Sequence, residues 1–167
     1  MTRALVALMY QSWADLDHAL SGLDAETATA RNDGGSSIAW TAGHVTNMVD
    51  SWLNVRFQGL PAHPMIGLTK FRAGGSGAAE DWPGIVAGLG EVQAAARSFL
   101  DSQRGDLEQS IPYDGSITYL RPVGLSLRYA VMRIAAHHFL HVGEILTIRT
   151  RLGHAVTDAP NWGASLV

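Results

Sequence analysis

A chain of 167 residues with no cysteine and a formal charge of −3 excludes several classes at once. Without thiols there are no disulfides, thiolate metal ligands, iron–sulfur clusters or cysteine nucleophiles, so any metal is held by nitrogen and oxygen. A pI near 6.1 with no basic run gives no long-range pull toward nucleic acid or an anionic membrane surface, and the length suits one domain, 1–167, which at this size hides ~70% of its unfolded surface without staples.

The opening run MTRALVALMYQSW is apolar but lacks a small-residue cleavage site, and its helical spacing continues through Trp13, Asp15 and Asp17. It predicts a first helix from about Arg3 to Ser21, with Leu5, Met9, Trp13, Leu16 and Leu20 on one stripe. No apolar stretch approaches the ~20 residues that span a bilayer, and a cytoplasmic protein is expected. Asp24 and the cluster Asn32-Asp33-Gly34-Gly35 read as loop. A second helix begins at Ser36 or Ser37, either of which can accept from first-turn amides, and runs to about Gln58, where Gly59 and Pro61 stop it.

From Gly59 to Ala79 glycine and proline recur without periodicity. Such a long irregular connection in a compact domain often serves as a crossover or a lid. Asp81 as N-cap and Pro83 in the first turn announce a third helix reaching about Gln103, with Ile85, Leu89, Val92, Ala96 and Phe99 or Leu100 inward. Gly84, Gly88 and Gly90 each cost ~1 kcal/mol against alanine in a helix interior, to be explained by close packing or by local flexibility. Asp114-Gly115, flanked by strand-favouring residues, predicts a small hairpin or tight turn. A fourth helix starts between Val123 and Ser126 and continues to Leu152, with Arg149 and Arg151 in its last turn and Gly153 closing it. Trp162 in the irregular tail is expected to fold back onto the helices. The pattern is all-α: a four-helix bundle with a long crossover loop between helices 2 and 3, an architecture that builds metal sites between facing helices.

The fourth helix carries the chemistry. His137 and His141 lie ~40° apart around a helix, close enough to share one ion. Arg133 and Glu144 join the same stripe, which is expensive to bury unless its members are paired, ligated or opened to a wet cleft. His138 points ~100° away from His137 and is expected at the surface or in a supporting position. On the second helix, Trp40, His44, Asn47 and Ser51 form a facing stripe. A locally hydrogen-bonded helix histidine is the plainer alternative for His44, and the His137/His141 spacing permits ligation without requiring it. His18, His63 and His154 have no second histidine at ligand spacing and are set aside. The zinc-protease pattern needs Glu directly after its first histidine, where this chain has His138, and the Glu-x-x-His pairs of a di-iron bundle are missing. One mononuclear site is the better count.

The segments SIAWTAGHVTNMVDSWLN and HHFLHVGEILTIRTRLG resemble the DinB/YfiT-like superfamily of metal-binding four-helix bundles. The resemblance extends over essentially the whole chain and implies that His44, His137 and His141 share one divalent ion per chain, zinc, nickel or iron. The chain departs from the family's common pattern in two places: Val142, Gly143 and Glu144 follow the last ligand instead of a basic residue, Gly and Gln, and His138 stands where an acidic residue is frequent. Relatives include S-transferases for low-molecular-weight bacterial thiols, a mycothiol-dependent isomerase and the metal-binding part of a sulfoxide synthase in ergothioneine formation. The implied activity is therefore activation of a low-molecular-weight thiol for S-transfer or isomerisation on a small-molecule substrate. The alternatives are a hydrolase using metal-bound water and a non-catalytic metal-stabilised binding or interaction bundle. Glu144 as a fourth ligand would close the site, whereas as an acceptor it would only orient His141. Arg133 beside the ligands and Arg72 on the long loop can each grip a carboxylate of the thiol. Five tryptophans and a Gly-rich third helix point to surplus apolar surface and a homodimer.

Overall fold

The structure is a computed structural model that describes residues 2–31, 34–103 and 106–156. It is mostly helical, as the apolar periodicity predicts. In chain order the helices are α1 (Thr2–Leu20), α2 (Ala25–Thr29), α3 (Ile38–Val49), α4 (Trp82–Ser102) and α5 (Leu127–Arg151). α1 lies along α5, and α3 packs against both α4 and α5. The expected place of Trp162 and the Asn32-Asp33 step fall outside the described residues.

Local chemistry sets the boundaries. Ser37 accepts from the amide of Trp40 at 3.1 Å, Asp81 from Gly84 at 2.9 Å and Ser126 from Tyr129 at 3.2 Å, so three long helices begin on side-chain caps. Asp24, expected in a loop, caps the short α2 through the Thr27 amide at 2.7 Å. At the far end of α5, Gly153 takes a φ of 80° that other residues adopt only under strain. Arg149 turns inward there instead of facing solvent, and its Nη1 donates to the carbonyls of Ala19 and Ser21 at 2.7 and 2.8 Å. The cation thus satisfies carbonyls at the end of α1 and draws the C-terminal ends of α1 and α5 together.

The stripes land inward. Met9, Trp13 and Leu16 of α1, and Ile85, Val92, Ala96 and Leu100 of α4, are buried, while Phe99 is only partly covered and stacks on Phe57. Trp13, Trp40, Trp52 and Trp82 are all 7% exposed or less, so these four tryptophans do not supply the surplus apolar surface expected of them. Of the three α4 glycines, Gly88 is explained by packing: a Cβ there would stand 2.9 Å from both His63 Cε1 and Ile66 Cγ1. Gly90 faces open space.

Two expectations are corrected. The second helix reaches Phe57, but from Asp50 to Phe57 it is π-helical, a wider winding found mostly at functional sites. With this winding Asp50 and Asn54 are both buried; Asp50 Oδ2 accepts from the amide of His63 at 3.0 Å, and Asn54 Nδ2 donates to Val92 O at 3.2 Å. The Asp114-Gly115 hairpin does not form. Instead β1 (Ser110–Ile111) and β2 (Leu125–Ser126) pair antiparallel with residues 112–124 between them. Gly115 lacks the positive φ of a two-residue hairpin turn, and its missing Cβ makes room for the Tyr113 ring.

Candidate metal centre

Three imidazoles from two helices converge. α3 contributes His44, and α5 contributes His137 and His141. Ring centroids are 4.9 Å apart for His44 and His137, 5.1 Å for His44 and His141, and 4.6 Å for His137 and His141. One nitrogen from each lies within 4.8 Å of the others. The plainer alternative for His44, a histidine satisfied within its own helix, is not what the structure shows, because its partner comes from another segment.

That partner is the carbonyl of Phe71. His44 Nδ1 donates to it at 2.6 Å, which leaves the Nε2 lone pair free. The other face of the ring stacks on Trp40 at 4.8 Å and 9°. Trp40 Nε1 in turn donates to Lys70 O, and Asn47 Nδ2 donates to Ile66 O, each at 2.7 Å. With Ile66 and Phe71 fully buried, the connection from Gly59 to Ala79 is a clamp fastened along α3. His63, outside the centre as expected, organises this clamp: its Nδ1 accepts from the amides of Met65 and Ile66, and its Nε2 meets Glu91 at 3.0 Å.

Gly43 explains how closely the clamp approaches. A Cβ there would sit inside the contact radius of the Phe71 ring. Gly43→Ala should therefore push Phe71, and with it the carbonyl that orients His44. Overpacking of this kind costs about 1–3 kcal/mol, so thermal unfolding should show a lower midpoint and metal titration a weaker affinity.

On α5, His141 Nδ1 meets Glu144 Oε2 at 2.6 Å. Glu144 thus stands behind His141 and fixes its tautomer, the arrangement that raises a ligating imidazole's basicity. The group of possible ligand atoms comprises the three histidines without Glu144. His137 Nδ1 is buried with no hydrogen-bond partner among the described residues. Burial pushes the His137 pKa down to about 3, helped by the neighbouring His141 and His44 rings. Burial also lowers that of His44, against the opposing Phe71 hydrogen bond. These two rings are neutral near pH 7. Neutral nitrogen donors with two Nδ1 atoms tied back fit a divalent cation.

The surface position expected as one option for His138 is corrected. The ring is fully buried, with Nδ1 2.9 Å from Ile134 O and Nε2 lacking a partner among the described residues, and burial pushes its pKa down to about 4. The sign was present in the sequence: Val131, Ala135, His138, Val142 and Ile145 run at helical spacing, a buried stripe with a histidine at its middle.

The centre opens on a cleft of about 560 Å³ whose walls include His44, Asn47, Ser51, Trp52, Arg133 and His137. The first half of the polar stripe of α5, Arg133 and His137, therefore faces a cleft and not the core, and Arg133 is exposed. Among the described residues no helix is long and apolar enough to cross a membrane.

The family model described as the DinB superfamily matches residues 8–145. No curated protein and no solved structure matches the chain.

Proposed function

This chain belongs to the DinB superfamily, and on that premise we propose that it is a metal-dependent enzyme in which His44, His137 and His141 hold one divalent ion that activates a low-molecular-weight thiol for S-transfer or isomerisation. The observation that carries the proposal is the convergence of three imidazoles, two of which, His44 and His137, line an open cleft. Zinc, nickel or iron held by three neutral nitrogens would supply Lewis-acid chemistry at a remaining position, where a thiol of ordinary pKa ~8.5 ionises at neutral pH. A purely structural site would be closed by a fourth protein ligand, and Glu144 is engaged with His141 instead.

The chain's own residues prepare this chemistry. Phe71 O and Glu144 hold two ligands in one tautomer, Trp40 covers one face of His44, and the clamp keeps α3 in place. Among the described residues no carboxylate lines the cleft at the histidines as a ready base, which favours a thiol over water as the group to be deprotonated. As part of the same proposal, α1, α3 with its π-helical extension, α4 and α5 are the members of a four-helix bundle, with residues 59–79 as its crossover. A homodimer would use the outer face of α5, where Met132 and Leu140 are 48% and 69% exposed. Sedimentation showing only monomer at high concentration would remove the dimer from the proposal.

The test is to incubate metal-loaded protein with a panel of low-molecular-weight thiols and an alkyl halide. The thiol sulfur forms the new C–S bond as halide departs with its electron pair and the thiol proton passes to solvent. Thioether formation above the uncatalysed rate, lost on chelation, is expected. Hydrolysis of esters or amides with no thiol present, and no thioether, would replace the S-transferase with a hydrolase.

A further inference from the structure

The cleft carries a charge opposite to that of the chain. The protein has a net charge of −3, yet Arg56, Arg72 and Arg133 all line the inner cavity at the histidines, and among the described residues no aspartate or glutamate lines it. They come from three separate segments: the π-helical extension, the clamp and α5. Arg56 is occupied, with Nη1 2.8 Å from Asp114 Oδ1 and its guanidinium 5.0 Å over the Tyr113 ring. Among the described residues, neither Arg72 nor Arg133 has an ion-pair or hydrogen-bond partner for its guanidinium.

The cavity is also extended. A second hollow of about 600 Å³ shares Ser51, Arg56 and Arg72 with the first and continues past Ile111, Pro112 and Asp114, the carboxylate that pairs with Arg56. Arg56 and Arg72 therefore stand where an inner compartment at the histidines meets an outer one. Met48, Trp52 and Ile117 give the inner compartment apolar wall, and each volume is in the range of small-molecule sites, roughly 300–1,000 Å³.

We propose that this cleft takes an elongated anionic small molecule, with a carboxylate or phosphate gripped by Arg72 and Arg133 while the rest of the ligand lies along the apolar wall toward the three histidines. Guanidinium groups suit this task because their planar donor forks match both anions bidentately. The direction of the ligand rests on the three-histidine proposal; the grip on the anion does not.

The test uses chelator-stripped full-length protein titrated with inorganic phosphate, with glutarate and with uncharged glutaramide, followed by NMR of the arginine side-chain N–H groups. Saturable shifts are expected with one or both anions and none with glutaramide. Arg72→Gln and Arg133→Gln should each weaken that binding at least about tenfold, the scale of a lost charge-assisted hydrogen bond. Both variants should keep wild-type helicity and metal content. Equal binding by wild type and both variants, or no saturable binding of either anion, overturns the proposal. Anion binding that depends on the arginines in a protein that takes up no stoichiometric metal would sustain the anion site and sink the metal centre. Stoichiometric metal without anion binding would do the reverse.

Discussion

Replacing His141 by alanine should abolish stoichiometric metal binding and leave the helical spectrum intact. The side chain is only partly buried and lies beside the His44 and His137 rings, outside the apolar core. Two nitrogens then remain where the proposed centre has three, too few for a stable site in a chain with no thiolate to substitute. Glu144→Gln gives a graded companion result, because the ligand stays and only its orienting acceptor is weakened. Changes of this kind typically lower metal affinity by about 10- to 100-fold. Full metal retention in the His141 variant, measured by elemental analysis after gel filtration, would remove His141 from the centre.

The second large effect is acid sensitivity of the metal-free protein. His137 and His138 have folded pKa values pushed down to about 3 and about 4 by burial, against 6.5 for an unperturbed ring. Their unfolded forms take up protons first as pH falls. Stability contributed by keeping them neutral is therefore fully present above about pH 6.5 and is lost between there and the folded values, each group removing on the order of 1 kcal/mol per pH unit. Denaturant midpoints measured from pH 7 to pH 4 should decline steeply. His138→Leu, which keeps the volume and removes the titrating ring, should flatten part of that decline while metal content stays at the wild-type level. A decline of unchanged slope in this variant would show that His138 is not among its causes.

The three histidines were legible because each sits on a helix with readable phase. A spacing of four residues places His137 beside His141 whatever else the chain does, and the stripe through Trp40, His44 and Asn47 marks the facing side. The supports behind them carry no such signature. The acceptor for His44 is the backbone carbonyl of Phe71, which any residue type supplies, in a segment without periodicity. The π-helical winding after Val49 is stabilised by where Asp50 and Asn54 find partners in His63 and Val92, contacts that exist only once the tertiary fold forms. Asp114-Gly115 has the composition of a hairpin turn, yet the strands pair at Ser110 and Ser126, and Gly115 seats Tyr113 instead. Of the two places expected for His138, the surface one fails, because the apolar residues on both sides of it along α5 already traced a buried stripe.

The two open arginines and the histidine wall were found separately in the chain, and the structure brings them to one cleft. Arg133 belongs to the ligand helix, and its placement follows from the same phase as His137. Arg72 follows the clamp residue Phe71, so the segment that orients His44 also delivers a cation to the mouth of the cavity. Conformation of the loop and composition of the cleft are thus coupled through adjacent residues.

The most direct measurement is a titration of chelator-stripped protein with zinc, followed by X-ray absorption spectroscopy of the loaded sample. A three-histidine centre predicts saturation at one ion per chain, with imidazole scattering from three nitrogen ligands at about 2.0–2.1 Å. No saturable uptake, or a first shell dominated by carboxylate oxygens, would contradict it.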